Sequence, residues 1–545
     1  MKLRCASRMS SLMLVAAVAA MLAAACGPLP EVEVPGEPSK RTLQLVMTEP
    51  RSIDPATAAG AGALTIVNLL FEPLTKMSRD GMVLPAAAES WTISDDGREF
   101  RFRLRLEAKW QSGKRLIARD FRYGWTRNLD PAVAADKSHL LYQIAGAKRF
   151  AQGAVEDDSE VAVRAATAGE LRVNLDRPSM SFLARTATWT FMPLPREAIE
   201  GWWNRWTEAS HIDTNGPYRL AEWFHGESMK LVPNPHYWDS SSPRFDEIRV
   251  KIVEPEEAVI PLFRNQVADI VELGDKEWQA VLRDSGDLAM NAAVFPMAQN
   301  WFLVFNTRKP PWTDSRIRRA FALAIDLTTA DGRVFSGAQQ PSRSLVPRAL
   351  VGRWGEPPGS PDEAADEARR LLIEAGYPGG VGFPAVKLSY HRTSHWESLA
   401  SHLVSRWSNV LGIEVGLDTM EWREYLDFSE SPGDFDIYRS GWESDYLDPA
   451  GWHNALWHSD EDVLRSGWSN AEYDSLVGTA EVMADPQSRR DAYAKAQLIL
   501  DAELPGIPIA EEGKAYLIQP YVTGVWASPL GGYLVFDDAV VERPE

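Results

Sequence analysis

Hydrophobic and polar positions alternate most cleanly at Phe100-Arg-Phe-Arg-Leu-Arg105, inside the run 92–105. A period of two sends alternate side chains to opposite faces, so this run predicts a half-buried strand. Asp95-Asp96-Gly97 just before it supplies turn chemistry. Leu43 to Met47 predicts a second short strand, and the alternation of Ile413, Val415 and Leu417 a third. Elsewhere apolar residues recur at helical spacing. Ile317, Ala320, Phe321 and Ala324 share one face of a predicted helix from Ser315 to Asp326, with Asp314 as its N-cap. A second predicted helix spans Trp396 to Val410, with Leu399, Leu403, Trp407 and Val410 as its stripe and Gly412 at the usual C-terminal glycine position. A third runs from Arg489 to Leu500, before Pro505. Strands and helices are mixed along all 545 residues without an internal repeat. The expectation is an α/β chain of more than one lobe.

The first 26 residues break this pattern. Lys2, Arg4 and Arg8 precede an apolar run from Leu12 to Leu22, and Ala23-Ala24-Ala25-Cys26 follows. This is the layout of a secretory signal, and the apolar run is short for a bilayer-spanning helix. The last four residues resemble a bacterial lipobox, which implies lipidation of Cys26 after removal of residues 1–25. Ala23 stands where a large aliphatic residue is usual, so ordinary signal cleavage is the competing reading. Residues 26–41, rich in Pro and Glu, suit a tether.

Composition narrows the function. The net charge is −19, which gives no electrostatic footprint for nucleic acid. Of the two cysteines, Cys5 lies in the leader, so no disulfide framework or thiolate metal cluster is expected. The 21 tryptophans fit either large-volume core packing or the aromatic walls of a ligand cleft. The chain has no Gly-x-Ser-x-Gly elbow, no phosphate-cradling loop with Lys-Ser/Thr and no His-Glu-x-x-His, so it is not read as an enzyme. Glu511 and Glu512 adjoin in sequence and would point apart on a strand. His391 and His395 have helical metal-ligand spacing but precede the helical stripe, with Arg392 between them. No metal and no cofactor are expected.

Ordered motifs then make a family visible. They are Pro85-Ala-Ala-Ala-Glu-Ser-Trp91, Trp110-Gln-Ser-Gly113, Asn215-Gly-Pro-Tyr218 and Asn234-Pro-His-Tyr-Trp-Asp239, then Arg319-Ala-Phe-Ala-Leu-Ala-Ile-Asp326, Gly441-Trp-Glu-Ser-Asp-Tyr-Leu-Asp-Pro449 and Asn470-Ala-Glu-Tyr-Asp474. In this order they resemble the peptide/nickel-type (family 5) solute-binding proteins of ABC importers, the oligopeptide-binding members most of all. The resemblance implies a three-lobe periplasmic-binding-protein fold, in which two lobes close on a buried cleft and a third is inserted. The first lobe would comprise 42–72, 193–295 and 515–545, the inserted lobe 73–192, and the second ligand-binding lobe 296–514. Crossings near 295 and 514 would form the hinge.

The resemblance also implies a monomeric, lipid-anchored protein on the extracytoplasmic face of a bacterial membrane, handing short peptides to permease subunits. A sensor that delivers its ligand to a receptor, or a binder of a non-peptide solute, would use the same fold. Asp445 matches the position where relatives place the carboxylate that receives a peptide's ammonium; a turn-capping role is the alternative. Arg439 would meet a ligand carboxylate, for which its planar fork is suited, or else pair with a protein acid. Gly441 and Glu443 would lend backbone groups, Tyr446 belongs to the same motif, and Trp442, Trp422 and Trp301 are candidate cleft walls. Asp448, before Pro449, reads as a turn former. Ala58-Ala59-Gly60 replaces a glutamate of the relatives, and Trp396 a histidine, which leaves ligand length open.

Overall fold

Two long strands, Ala292–Phe305 and Gly506–Ile518, organise the molecule. The computed structural model describes residues 41–254, 258–284, 286–327, 335, 337–351, 359–430 and 434–543. The leader, Cys26 and the tether up to residue 40 lie outside the described residues. Eleven strands form one sheet. On one side of the long pair lie Ile437–Glu443, Val386–His391 and Val415–Met420; on the other lie Ile270–Leu273, Thr42–Met47, Glu247–Ile252, Ser228–Pro233 and Tyr218–Phe224. Phe295 pairs with Lys514 and Pro296 with Gly513, and the register then slips before Asn300 meets Glu511. Such an irregularity bends a strand locally. The crossings expected near 295 and 514 therefore face each other at this bend. Gly513 sits there because a Cβ would lie 2.6 Å from the Ala338 carbonyl oxygen.

A separate sheet runs Ala88–Ile93, Glu99–Leu104, Glu170–Asn174, Val163–Thr167. Phe100, Phe102 and Leu104 are buried in it while Arg101 and Arg103 face water, as their alternation predicts. The turn before it carries Gly97 at φ 68°. The helices follow the sequence closely. Ser315–Ala324 begins where the Asp314 carboxylate accepts from Arg316 N at 2.9 Å. Ser394–Leu411 starts two residues before the expected point, because Thr393 Oγ1 caps Trp396 N at 3.1 Å, and it ends at left-handed Gly412. Pro486–Glu503 likewise extends past both expected ends. The strand predicted by the alternation of Ile413, Val415 and Leu417 is Val415–Met420, the outermost of the large sheet, with Val415 buried and Leu417 exposed. Among the described residues no helix is long and apolar enough to cross a membrane.

Two of the ordered motifs, at 215–218 and 234–239, meet around Glu72. Asn215 exchanges two hydrogen bonds with the Glu72 backbone, at 3.1 and 2.9 Å, and Asn234 Nδ2 donates to the Gly216 carbonyl at 3.0 Å. The Tyr237 hydroxyl and Trp238 Nε1 both donate to the Glu72 carboxyl. These two motifs are thus scaffold: they tie the segment entering 73–192 to the segment that follows it. Burial pushes the Glu72 carboxyl up to about 7 from 4.5, against those hydrogen bonds and the nearby Lys76 and Arg105. The native state therefore binds this proton more tightly than the unfolded chain. The associated stability is complete below pH 4.5 and is lost as pH rises through about 7. At about 1.36 kcal/mol per unit the loss reaches up to about 3 kcal/mol. Glu72→Gln is expected to flatten the fall in Tm between pH 5 and 8, as read by scanning calorimetry; an unchanged pH profile would assign the dependence to other groups.

Candidate functional site

The strand Ile437–Glu443 lies against Ala292–Phe305 along its whole length, from Ile437 opposite Phe305 to Glu443 opposite Gln299. Its other neighbour, Val386–His391, pairs only with Ile437 and Tyr438. Beyond Tyr438 that edge carries no strand among the described residues. Backbone groups of alternate residues face alternate sides of a strand. Just past the strand, Ser444 N donates to the Ala298 carbonyl at 2.8 Å, so the even-numbered residues serve the paired side. The Arg439 carbonyl accepts from the Tyr425 hydroxyl instead, on the unpaired side. By the same period the backbone groups of Gly441 and Glu443 face the open edge. Gly441 is required for a second reason. A Cβ there would lie 2.2 Å from Cε3 of Trp301, whose ring covers this glycine.

Arg439 stands at one end of that edge. It is only 7% exposed. Its guanidinium lies over Trp301 at 4.0 Å and Trp396 at 4.9 Å, and Nη1 contacts His391 Nδ1 at 3.3 Å. Its Nε has no hydrogen-bond partner, and among the described residues no carboxylate lies within ion-pair distance of it. Of the two roles open in the sequence, the ion pair with a protein acid is absent here. Burial lowers the guanidinium pKa. Burial and then Arg439 hold His391 down at about 4, so the imidazole is neutral at physiological pH and free to accept from the arginine. These side chains, with Phe335, Gln339, Thr393, His395, Leu399, Ile509 and Ala510, line a cavity of about 210 Å³. His391 and His395 do share this cavity, but the adjoining guanidinium repels a divalent ion, and no metal-binding group of three or more His, Cys, Asp or Glu occurs among the described residues.

Asp445 stands just past the other end. Lys137 Nζ reaches its Oδ1 at 2.7 Å and His139 Nε2 its Oδ2 at 2.8 Å, both from the segment 73–192. Burial alone would raise this carboxyl; the hydrogen bonds from His139 and Lys137 reverse that and hold it at about 2. It is ionised at any physiological pH. Tyr446 is buried beneath the Arg185 guanidinium, 3.8 Å from its ring centre. Asp448 takes the turn role expected of it: Oδ1 accepts from Ala450 N at 2.9 Å, and Arg489 grips both oxygens at 2.6 and 2.7 Å.

The tryptophans divide. Trp301 walls the Arg439 cavity, and its Nε1 donates to Glu512. Trp422 is more than half exposed and meets His391 edge-on at 4.9 Å. Trp442 points to the other face and packs on the core around Phe302, Trp452 and Trp457, so it serves as core more than as wall. Glu511 and Glu512 do point apart: Glu511 accepts from Arg348 N at 2.7 Å, Glu512 from Trp301 and Gln339. Lys137, His139 and Tyr425 carried no local signal, because each acts on a residue distant in sequence. A larger open groove of about 1670 Å³ lies elsewhere, around Asp54, Arg122 and Arg127. It holds ion pairs such as Arg127–Asp54 and Arg122–Asp158, both at 2.7 Å, and no residue of the 439–445 edge lines it.

Residues 83–463 match the family described as bacterial extracellular solute-binding proteins, family 5 Middle. The chain belongs to this family. The periplasmic murein peptide-binding protein of Escherichia coli is 30% identical over 487 residues, which is 88% of this chain and 89% of that one. A probable deoxycholate-binding periplasmic protein of the same organism is also 30% identical, over 483 residues, 88% of this chain and 89% of the other. Family 5 membership places the chain among the bacterial extracellular solute-binding proteins, whose relatives here are periplasmic. The unliganded open form of the murein tripeptide-binding protein superposes with a TM-score of 0.84 at 27% identity, covering 93% of this chain and 98% of that one. A second structure of the Escherichia coli protein, at 28% identity and covering 93% and 99%, reaches only 0.62. Both comparisons give this chain the multi-lobe fold of the family 5 periplasmic binding proteins.

Proposed function

We propose that this protein captures short peptides in a closing cleft and delivers them to an ABC-type permease. One observation carries the reading: among the described residues the strand edge 439–443 is unpaired, with a buried, acid-free arginine at one end and an ionised carboxylate beyond the other. An extended zwitterionic chain laid antiparallel along that edge would find backbone partners at Gly441 and Glu443, its carboxylate at Arg439 and its ammonium at Asp445. Six residue steps separate the two charges. At about 3.3 Å per step this is roughly 20 Å between the two Cα atoms, a span that the reach of both side chains shortens, so it bounds the ligand at about six residues. Closure would turn on the bend at Pro296 and Gly513, with the lobes divided as the resemblance implies.

Calorimetry with tri-alanine and N-acetyl-tri-alanine tests the reading. The free peptide is expected to bind more tightly, and equal affinities would remove the ammonium from the recognition scheme. A second reading, a non-peptide carboxylate held at Arg439, is favoured by the pairing of Asp445 with Lys137, which leaves that carboxylate no need of a ligand cation. It predicts no preference between the two peptides. Disruption of the permease should abolish peptide uptake; normal uptake without it would favour a sensor. We also propose that Cys26 carries the lipid that retains the protein at the membrane. Cys26→Ser should release it into the soluble envelope fraction, and continued membrane association would refute the anchor.

A further inference from the structure

The segment 73–192 is docked firmly on the region that bears Asp445. Met180 N donates to the Glu481 backbone carbonyl at 2.8 Å, and Ser179 and Ser181 hydroxyls both donate to Glu481 Oε1, at 2.5 and 2.9 Å. Arg185 caps Tyr446. Lys137 and His139 therefore do not dangle from a remote loop. They flank and occupy a short helical turn, Ser138–Leu141, that is pinned by the buried side chains of Leu140 and Leu141. From this base Lys137 takes one oxygen of Asp445 and His139 the other. The carboxylate that the peptide reading reserves for a ligand ammonium thus already holds an ammonium.

Lysine and a peptide's amino terminus present the same group, –NH₃⁺, with three donors and no acceptor. The two would repel one another if both sat on Asp445, so ligand and lysine compete. The competition is mild. The Lys137 side chain is 36% exposed, and its ammonium regains water when displaced. A ligand with no ammonium has nothing to offer in exchange, yet it does not strand a bare buried carboxylate, because Lys137 stays in place. We propose that Lys137 is an intramolecular stand-in for the ligand's ammonium, holding Asp445 while the cleft is empty and yielding it on capture. Lys137, positioned beside His139, then determines how sharply the cleft distinguishes a free amino terminus from a blocked one. This rests on the peptide reading above.

Lys137→Met keeps the length of the side chain and removes the competitor. Tri-alanine is expected to bind this variant about fivefold more tightly than wild type, the scale of a partly exposed ion pair, while N-acetyl-tri-alanine gains nothing. Unchanged or weaker binding of tri-alanine would overturn the proposal, since the lysine would then be idle or would hold the ligand itself. A ligand-free readout separates this from the peptide reading. With lysines ¹³C-dimethylated, the Lys137 signal, identified by its loss in Lys137→Met, should shift on Asp445→Asn with no peptide present. In wild type it should shift the same way on addition of tri-alanine. No shift in Asp445→Asn overturns the stand-in whatever binds. Failure of wild type to bind either peptide overturns the peptide reading, and with it the competitive role.

Discussion

Asp445→Ala is expected to weaken binding of a short peptide with a free amino terminus by about 3 kcal/mol, roughly a hundredfold. Breaking a buried ion pair by removing one partner typically costs about 3–5 kcal/mol, because the other charge is left unpaired in a poor dielectric. The lower end applies here. Lys137 and His139 already satisfy Asp445 in the empty cleft, so the ligand gains an exchange of partners and not a first partner. N-acetyl-tri-alanine should lose little, which separates loss of the ammonium contact from general damage. Stability should change by about 1 kcal/mol or less, since Lys137 is partly exposed. Wild-type affinity for tri-alanine in the variant would make Asp445 a structural partner of Lys137 and nothing more.

Arg439→Met should separate binding from stability in the opposite sense. Affinity for tri-alanine is expected to fall by about 2 kcal/mol, the scale of a charge-assisted hydrogen-bonded contact. C-terminally amidated tri-alanine should bind wild type and variant alike. The empty variant should keep or raise its Tm, because a buried guanidinium without a carboxylate is a net cost that stacking on Trp301 and Trp396 only partly offsets. A fall of several degrees, with equal loss for both peptides, would make Arg439 a packing residue.

The helices and the Phe100 strand were legible because each has a periodic apolar face and a local start or stop signal. Asp314, Thr393 and Gly412 act within their own helix, so sequence and structure agree there to within about two residues. Leu417 lies on a strand as its alternation predicts, but alternation does not report whether a neighbouring element covers a face, and Leu417 is exposed. The site was legible only where one strand carries it. Arg439, Gly441 and Glu443 share a period, and the structure gives that period a paired and an unpaired side. The acid-free state of Arg439 and the occupied state of Asp445 depend on residues far away along the chain. Lys137 lies 308 positions from Asp445, beyond any pattern that period or motif can encode. Of the ordered motifs, those at 215–218 and 234–239 build the Glu72 network, and only the one at 441–449 reaches the candidate site.

The open edge at 439–443 also bears on self-association. An unpaired row of backbone donors and acceptors normally invites edge-to-edge aggregation, which proteins counter with charge, proline or cover. Here the helix Trp422–Glu430 stands over one end through Tyr425, and Lys137 and His139 stand at the other. A second protein could reach the edge only by bringing its own sheet into that gap. A single slender chain needs no such room. On the peptide reading the same covers that leave room for one strand bar a second sheet, and a substitution that trims Tyr425 is expected to raise aggregation as well as alter the ligand bound.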